Sequence, residues 1–303
     1  MTNAEILELL AKQVLFNDAE IVALNKPYGM AVHGGGGADK TSSSCSPSPS
    51  AHSNSKNDLH LNRFLPELAA RLGVSKLYTV HRLDRDTTGL LLLATTQEKA
   101  HQLSRLFAEG RVDKRYLAIT KSVPHLREGL IDIPIEVGHA RVGSNKTTKR
   151  ERMVLCPEPV EEIREQGRRA AQKRSHSKTA KQAVTHYRVV DEAGNAALLE
   201  VHPRTGVRHQ IRVHLGFALR CPVLGDHKYS SLGEGMAPQR LPADILGRLR
   251  VRQAKARTVP MHLHAYMTVL GGMGRHGTDI RLRAPLPYHF TRNMASLRLR
   301  LKQ

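Results

Sequence analysis

The sequence predicts a globular α/β (α+β) fold, and three observations support that class. Segments of strand composition alternate with segments whose apolar residues recur at helical spacing. The chain has 303 residues, of which 40% are hydrophobic, so it can fill the core of one large domain or of two ordinary ones. Two long polar stretches interrupt this pattern, and we expect them to be inserts in the folded chain.

The first elements are expected to be a helix, a hairpin and a second helix. Residues 4–13 have helical character, and two strand-like runs, 14–16 and 21–24, flank a turn pair that is typical of a hairpin. Residues 38–57 are mostly Ser, Pro, Asn and Lys, with too little apolar surface to offset the entropy of ordering, so they form a low-complexity insert. Residues 61–72 again have the apolar spacing of a helix.

Strands and one further helix are expected in the rest of the chain. The helix covers 97–109, where Ala100, Leu103 and Leu106 share one stripe that ends at Gly110. Strand composition is found at 77–80, 90–94, 114–120, 186–190 and 196–201. The last two of these strands are expected to pair through a turn at 191–195.

The charge of the chain indicates a polyanionic partner. Lysine and arginine total 47 against 27 acidic residues, a formal net charge of +20. No stretch approaches the ~18 apolar residues of a spanning helix, and no lipidation motif is present, so we expect nucleic acid and no membrane. Aromatic residues are only 4% and tryptophan is absent, so recognition should depend on phosphate contacts and shape.

A second, basic insert is expected at 143–180, within a strongly basic stretch from 140 to 182. It has the composition of a solvated and partly disordered loop. Such a segment can still add affinity for phosphates by releasing counterions. Its cations include Arg164, Arg168, Arg169, Lys173, Arg174, Lys178 and Lys181.

Cysteine usage and the first residues bear on the compartment. Cys45, Cys156 and Cys221 are odd in number and widely spaced, which argues against a disulfide framework or a cysteine-rich zinc site. We therefore expect a reducing compartment. The first sixteen residues contain acidic side chains and one lysine, so they resemble neither a secretory signal nor a transit peptide.

The run from His81 to Gly89 (His-Arg-Leu-Asp-Arg-Asp-Thr-Thr-Gly) is the strongest chemical signal in the chain. It places Asp84 between two arginines, in a glycine-hinged segment that lies between two strands. A loop on a rigid scaffold is where reactive side chains usually lie. A salt-bridged structural turn is the alternative interpretation, and only the rest of the chain can decide between the two.

Two groups of residues could suggest a metal site, but we expect none. His81, Asp84 and Asp86 share one loop, yet this spacing of carboxylates is common in loops. His262 and His264 alternate along a strand and so lie on one face, but a third ligand is missing nearby. A structural role for these two histidines is the preferred interpretation.

Five ordered blocks resemble the RluA-type pseudouridine synthases, whose signature loop, His-Arg-Leu-Asp-x-x-Thr-Ser-Gly, carries the catalytic aspartate. Asp84 occupies that position, and Tyr116 corresponds to the strand tyrosine of the family. The remaining blocks are Lys26-Pro27-x-Gly29, Gly206 to Arg212 and Cys221 to Asp226. The resemblance extends from Val14 to about Pro287, apart from the two inserts.

The resemblance implies a single catalytic domain at 14–290, with a mixed, largely antiparallel sheet flanked by helices and a central active-site cleft. Residues 1–13 would add a short helix and leave no room for the S4-like domain of some relatives. The blocks are most similar to the mitochondrial RNA pseudouridine synthases of animals. We therefore expect a mitochondrial enzyme, with the cytoplasm as the alternative, and a monomer.

The family's site residues can be placed on this sequence one by one. Asp84 would act at the ribose as nucleophile or base, Arg212 would keep it ionised, and Tyr116 would pack against the base. The reaction is an isomerisation, so we expect no cofactor. RNA contacts are expected from Arg82, which would fill the place of the flipped base, and from His81, Lys26, Thr88, Arg208, His209 and Gln210.

The function implied is the site-specific isomerisation of uridine to pseudouridine in structured RNA. Ribosomal RNA is the first expectation, and transfer or messenger RNA are alternatives, because arginine and lysine counts do not reveal which base is read. The rival function is a non-catalytic RNA-binding or ribosome-assembly factor that uses the same basic surface.

Overall fold

A ten-stranded mixed sheet forms the centre of the fold. The computed structural model describes residues 1–34, 59–142, 148–156, 179–230 and 238–301. The low-complexity insert at 38–57 and much of the basic insert at 143–180 lie outside these ranges. Among the helices described, none has the length and apolar content needed to cross a bilayer.

The strands are β1 (Val14–Asn17), β2 (Ile21–Lys26), β3 (Tyr78–Thr79), β4 (Thr88–Ala94), β5 (Val112–Thr120), β6 (Glu128–Asp132), β7 (Ile135–Val142), β8 (Thr148–Leu155), β9 (Val184–Ala193), β10 (Ala196–Pro203), β11 (Leu263–Leu270) and β12 (Ile280–Arg283). The helices are α1 (Asn3–Lys12), α2 (Leu65–Arg71), α3 (Gln97–Ala108), α4 (Gln210–Val213), α5 (Ala243–Leu249) and α6 (Tyr288–Leu297). Shorter turns of helix cover Leu61–Arg63, His214–Ala218, Gln253–Thr258 and Arg275–Gly277.

The sheet is mixed and largely antiparallel, which confirms the fold that the resemblance implied. Its order is β1-β2-β4-β11-β5-β10-β9-β6, with β3 beside β4 and β12 beside β11. The β4–β11 pair is parallel, and the other pairs of the sheet are antiparallel. Strands β7 and β8 form a separate hairpin.

Helical segments cover both faces of the central strands. Leu117 and Ile119 of β5 pack in a cluster with the apolar residues of α5 and α6. Ala118 lies between them and packs with Ile211 of α4 in a different cluster. Because side chains alternate across a strand, the two clusters lie on opposite faces of the sheet. Strand β4, which contains the apolar run 90–94, is accordingly buried along its whole length.

The structure changes several boundaries expected from the sequence. The helix expected at 61–72 begins only at Leu65, after a short turn of tighter helix. The turn expected at 191–195 is shorter, because β9 continues to Ala193 and Gly194 alone takes the left-handed conformation. Part of the expected basic insert is ordered, since residues 148–155 form β8 and pair with β7 along their whole length.

The register of three central strands positions the loop that carries Asp84. Ala265 of β11 lies opposite Gly89 of β4 on one side and opposite Tyr116 of β5 on the other. The Asp84 loop leads directly into β4, so a single strand, β11, separates the end of this loop from Tyr116 of β5. Gly89 has φ +108, and a Cβ atom there would collide with the backbone of Ala265.

Replacing Gly89 by alanine should destabilise the fold. Strained backbone and overlap with Ala265 should together cost about 2 kcal/mol or more. The measurement is the free energy of unfolding in urea. Gly247→Ala is the matched control, because this helical glycine has open space around its Cβ position and should change stability by about 1 kcal/mol or less. Equal stability of Gly89→Ala and wild type would contradict this packing.

Candidate active site

Two contacts within the protein fix His81 at the start of the loop before β4. The backbone N–H of Leu92 donates to Nε2 of His81 at 2.9 Å, and the imidazole stacks on Phe107 with the ring centroids 4.2 Å apart. Burial lowers the pKa of His81 to about 3, so this ring is neutral and accepts the hydrogen bond. The structure thus gives His81 a contact within the protein, whereas the sequence indicated contact with RNA.

Lys26 also differs from the RNA contact that was expected. Its side chain is fully buried, and Nζ donates to the carbonyl oxygens of Pro27, Met30 and Arg85 at 3.0, 2.7 and 3.0 Å. Burial lowers its pKa to about 7, against the attraction of nearby carboxylates. Lys26 therefore ties the end of β2 to the residue that follows Asp84, and its position leaves no face for RNA.

Arg212 of α4 connects two carboxylates at the centre of the site. Its Nη1 donates to Oδ2 of Asp84 at 2.9 Å, and its Nε and Nη2 donate to the two oxygens of Asp226 at 2.7 and 2.9 Å. Asp226 also accepts backbone N–H groups from Lys228 and Tyr229 at 3.0 and 3.2 Å. The guanidinium is therefore fixed in plane by Asp226 and aimed at Asp84.

Asp84 is held in its charged form. Burial acts to raise the pKa of this carboxyl, but the attraction of His209, which is charged only at low pH, and the charge and hydrogen bond of Arg212 outweigh burial and keep the pKa below its ordinary value of 3.8. Burial lowers the pKa of His209 itself to about 3, so that ring is neutral at pH 7. The permanent positive charge beside Asp84 is therefore Arg212.

The imidazole of His209 lies beside the same carboxylate. His209 has φ +57, which turns the chain sharply at the start of α4. Its Nδ1 shares a hydrogen bond of 2.6 Å with the hydroxyl of Tyr229, which also accepts the backbone N–H of Met153 at 3.1 Å. The other ring nitrogen, Nε2, lies 3.6 Å from Oδ1 of Asp84.

Tyr116 lines a cavity of about 420 Å³ together with Asp84 and Arg212. Burial and the negative charge of Asp84 raise the pKa of Tyr116, so its hydroxyl stays protonated. The rest of the wall is partly apolar, which suits the flat face of a base. These apolar residues are Phe107, Pro203, Val207, Ile211 and Leu263.

A second cavity, of about 680 Å³, is also lined by Asp84 and Arg212, and it is strongly cationic. Arg208 pairs with Glu151 at 2.6 Å, whereas Lys228 has no acidic partner among the residues that the structure describes. Cations on this side of the loop are suited to phosphate oxygens. They are Arg82, Arg85, Arg208, Lys228 and Arg257.

Thr88 and Gln210 stabilise the scaffold of the site, although the sequence indicated RNA contacts for both. The hydroxyl of Thr88 is hydrogen-bonded to Nδ1 of His264 at 2.8 Å. Oε1 of Gln210 accepts from Thr205 and Val207, and its Nε2 donates to Val184 and Thr185. Both side chains are buried, so they shape the loops that hold Asp84 and Arg212.

The two strand histidines have protein partners. His264 bonds Thr88, and His262 bonds Nδ2 of Asn293 at 2.9 Å. Burial lowers their pKa values to about 4 and about 3. Within the residues described, no group of three or more His, Cys, Asp or Glu side chains is arranged to hold a metal ion.

Sequence reasoning missed Asp226 and Tyr229 as members of the site. They lie in the segment Leu224 to Ser230, which contributed to the resemblance without a role for either residue. An acid directly after Gly225, with a tyrosine three residues later, was the available signal. Gly225 has φ +83 and its Cβ position is blocked by the carbonyl of Pro260, so only glycine brings Asp226 this close to Arg212.

Asp226→Asn should cost about 3–5 kcal/mol at pH 7, because it removes the charge of a buried partner of Arg212. The pKa of Asp226 is lowered in the folded protein by Arg212 and by backbone N–H groups, which outweigh burial. The ionised group therefore stabilises the fold above the unfolded pKa of about 3.9, and this contribution is lost as pH falls through the lower folded value. Urea unfolding from pH 7 to 3 measures the difference.

Glu8→Gln, which removes an exposed pair with Lys12, is the control and should leave the stability nearly unchanged. If Asp226→Asn were as mild as Glu8→Gln at pH 7, the proposed anchoring of Arg212 would be wrong.

Comparison with known proteins places this chain in a family. The family described as RNA pseudouridylate synthase matches residues 20–216. Pseudouridylate synthase RPUSD4, mitochondrial, of Mus musculus is 38% identical over 293 residues, which cover 96% of this chain and 70% of that protein. Mitochondrial mRNA pseudouridine synthase RPUSD3 of Homo sapiens is 30% identical and is covered over 80% of its length.

Solved structures agree with this assignment. The structure of Human RNA Pseudouridylate Synthase Domain Containing 4 superposes with a TM-score of 0.77 at 35% identity, over 99% of this chain and 98% of that one. Human RNA Pseudouridylate Synthase Domain Containing 1 shares the fold, with a TM-score of 0.54 at 18% identity. The match over most of the chain and the identity to full-length relatives lead to one conclusion: this chain belongs to the RNA pseudouridylate synthase family and is an isomerase that acts on uridine in RNA.

Proposed function

We propose that this enzyme converts particular uridines of ribosomal RNA to pseudouridine, with Asp84 as the group that acts on the ribose. The observation that carries the proposal is the ionised Asp84, which Arg212 holds in the wall of a cavity that Tyr116 also lines. Two animal relatives are mitochondrial by name, which supports a mitochondrial location for this enzyme as well.

The chemistry is an intramolecular exchange of bonds. The bond between C1′ of the ribose and N1 of uracil breaks, the base turns, and a new bond forms between C1′ and C5. The hydrogen on C5 leaves as a proton and N1 gains one, so atoms and charge balance without an added reagent. A carboxylate can assist by bonding to C1′ or by accepting a proton from the sugar, and Asp84 could fill either role.

The surroundings of Asp84 suit both roles. Arg212 donates to one oxygen of the carboxylate at 2.9 Å, and Nε2 of His209 lies 3.6 Å from the other, so the carboxylate stays charged although it is largely buried. Tyr116 supplies a ring face for the uracil and a protonated hydroxyl near the reacting atoms. The partly apolar wall around it would exclude water while the base turns.

Arg82 is placed to substitute for the flipped base. Its side chain is exposed, and it lines both the cavity with Tyr116 and the cationic cavity. A paired uridine is inaccessible within an A-form helix, so the nucleotide must leave its stack at a cost of a few kcal/mol. A planar guanidinium can stack and donate hydrogen bonds in the space that is left.

Ribosomal RNA is the proposed substrate class because of charge and shape. A net charge of +20 suits a large folded RNA in which phosphates are dense on every side. Transfer and messenger RNA present the same reactive nucleotide, and one relative is named for mitochondrial mRNA. The position of the modified uridines distinguishes these classes.

Asp84→Asn should abolish isomerisation while RNA binding is retained, because the amide cannot bond to C1′ or accept the proton. We expect a loss on the order of 10³-fold or more in the single-turnover rate on bound RNA. The rate is measured with purified protein on bound RNA. The target sites are found by mapping pseudouridines in total RNA from cells that lack the protein and are complemented with wild type or Asp84→Asn. Sites restored by wild type alone should lie in ribosomal RNA.

Asp279→Asn serves as the control, because Asp279 is an exposed acid of the last hairpin and pairs with Arg281. Normal isomerisation by Asp84→Asn would refute the catalytic role and favour a non-catalytic RNA-binding or assembly factor. Restored sites that lie only in transfer or messenger RNA would refute the substrate class alone.

Arg82→Ala should slow the reaction on a paired target uridine much more than on an unpaired one. The arginine offsets unstacking only when a partner base is left behind, so the expected difference is about tenfold to a hundredfold. The measurement is the single-turnover rate on two RNAs that differ only in the base opposite the target. Arg85→Ala is the control from the same loop and should affect both RNAs equally; an equal effect of Arg82→Ala would contradict the proposed role.

A further inference from the structure

A third groove, of about 650 Å³, lies between α5, the turn Gln253–Thr258 and α6, outside the site described above. The described residues that line it include three arginines and no carboxylate. Nothing in the isomerisation requires these residues. The larger polar side chains of its wall are Arg248, Arg250, Tyr288, His289, Arg292 and Asn293.

Two of the three arginines are available to a ligand. Nη1 of Arg248 donates to the carbonyls of Ala193 and Leu297 at 2.9 and 3.0 Å, so that side chain braces the groove from inside. Arg250 and Arg292 are exposed, and neither pairs with an acid among the residues that the structure describes. Their positive charges therefore face a groove in which no described carboxylate offsets them, and an anion is the ligand that fits.

A single exposed aromatic ring stands beside these charges. The side chain of Tyr288, at the first turn of α6, is 78% exposed. Burial against the protein does not explain a ring at this position. Stacking of a nucleic-acid base on an exposed ring contributes about 1–3 kcal/mol, and every base offers a suitable face. Tyrosine between two arginines therefore indicates a nucleic-acid strand rather than a small anion.

The groove adjoins the cationic side of the active site. Val259 lines both spaces, and Arg257 and Thr258 line one each. Tyr28 of the cationic cavity meets His289 of the groove edge to face, with ring centroids 5.3 Å apart. A strand that leaves Asp84 along the cationic cavity would thus reach the groove by crossing one layer of side chains.

We propose that this groove binds single-stranded RNA that flanks the target nucleotide, with an unpaired base stacked on Tyr288 and phosphates bound by Arg250 and Arg292. This proposal rests on the proposed function, because the groove adjoins the cationic cavity that Asp84 lines, and an RNA strand in the groove would therefore belong to the substrate. It adds a requirement for the substrate: an unpaired flank on one side of the modified uridine, recognised by stacking and charge and not by base edges.

The test compares a target stem-loop with the same RNA extended at its 5′ or its 3′ end by about ten unpaired nucleotides, within the ~4–16 nucleotides of single-strand sites. Fluorescence anisotropy measures affinity as a function of salt. For wild type, one of the two extensions should tighten binding. Tyr288→Ala should remove that gain, about tenfold, and leave the affinity for the bare stem-loop unchanged.

Tyr288→Phe keeps the ring and should retain the gain, since stacking does not use the hydroxyl. Arg250→Gln and Arg292→Gln should each reduce the salt dependence of binding to the extended RNA by about 0.7 in the log–log slope, without changing that of the stem-loop. Lys76→Gln is the control. Lys76 is an exposed cation that lines none of the three cavities and should affect neither RNA.

Two results would overturn the proposal. One is a wild-type affinity that neither extension improves, and the other is a Tyr288→Ala variant that binds the extended RNAs as tightly as wild type does. Pseudouridine formation in each RNA is measured in parallel. Its absence in all three RNAs would count against the proposed function, whereas its presence without any effect of the flank would count against the groove alone.

Discussion

The site depends on one guanidinium held between two carboxylates. Arg212 donates two parallel hydrogen bonds to Asp226 and one to Asp84, and its side chain is almost entirely buried. An uncompensated charge at this depth would be strongly destabilising, so each partner is needed for the other to remain ionised. Asp226 serves to hold the arginine, which leaves Asp84 charged and still directed into the cavity.

The sheet explains why these groups can meet. Asp84 precedes β4, Tyr116 lies within β5, and Arg212 lies on α4 after β10, so they are far apart in sequence. Ala265 of β11 lies between β4 and β5, and a side chain at Gly89 would push the first of these strands away from it. The close contact at Gly89 thus helps to set the distance from Asp84 to the ring of Tyr116.

Sequence reasoning predicted which residues would meet in the cavity but not the depth at which each lies. The sequence allowed recognition of the loop with Asp84, the strand with Tyr116 and the pairing of Arg212 with Asp84, because each of these residues lies in a block of the family resemblance. Lys26 was expected to contact RNA because it lies in the block Lys26-Pro27-x-Gly29 of the resemblance, yet its side chain donates to three carbonyl groups inside the protein. Residue type indicates available chemistry, whereas burial depends on contacts between distant segments. For the same reason, Asp226 could not be assigned to Arg212 before the fold was known.

Asp84 should remain ionised beside Arg212 within the protein. Carboxyl-carbon NMR of aspartate-labelled protein tests this ionisation state most directly. Comparison with Asp84→Asn assigns the resonance. We predict the chemical shift of a carboxylate, without change, from about pH 8 to about pH 5, because the pKa lies below the ordinary value of about 3.9. A protonation midpoint for Asp84 within that range would contradict the account.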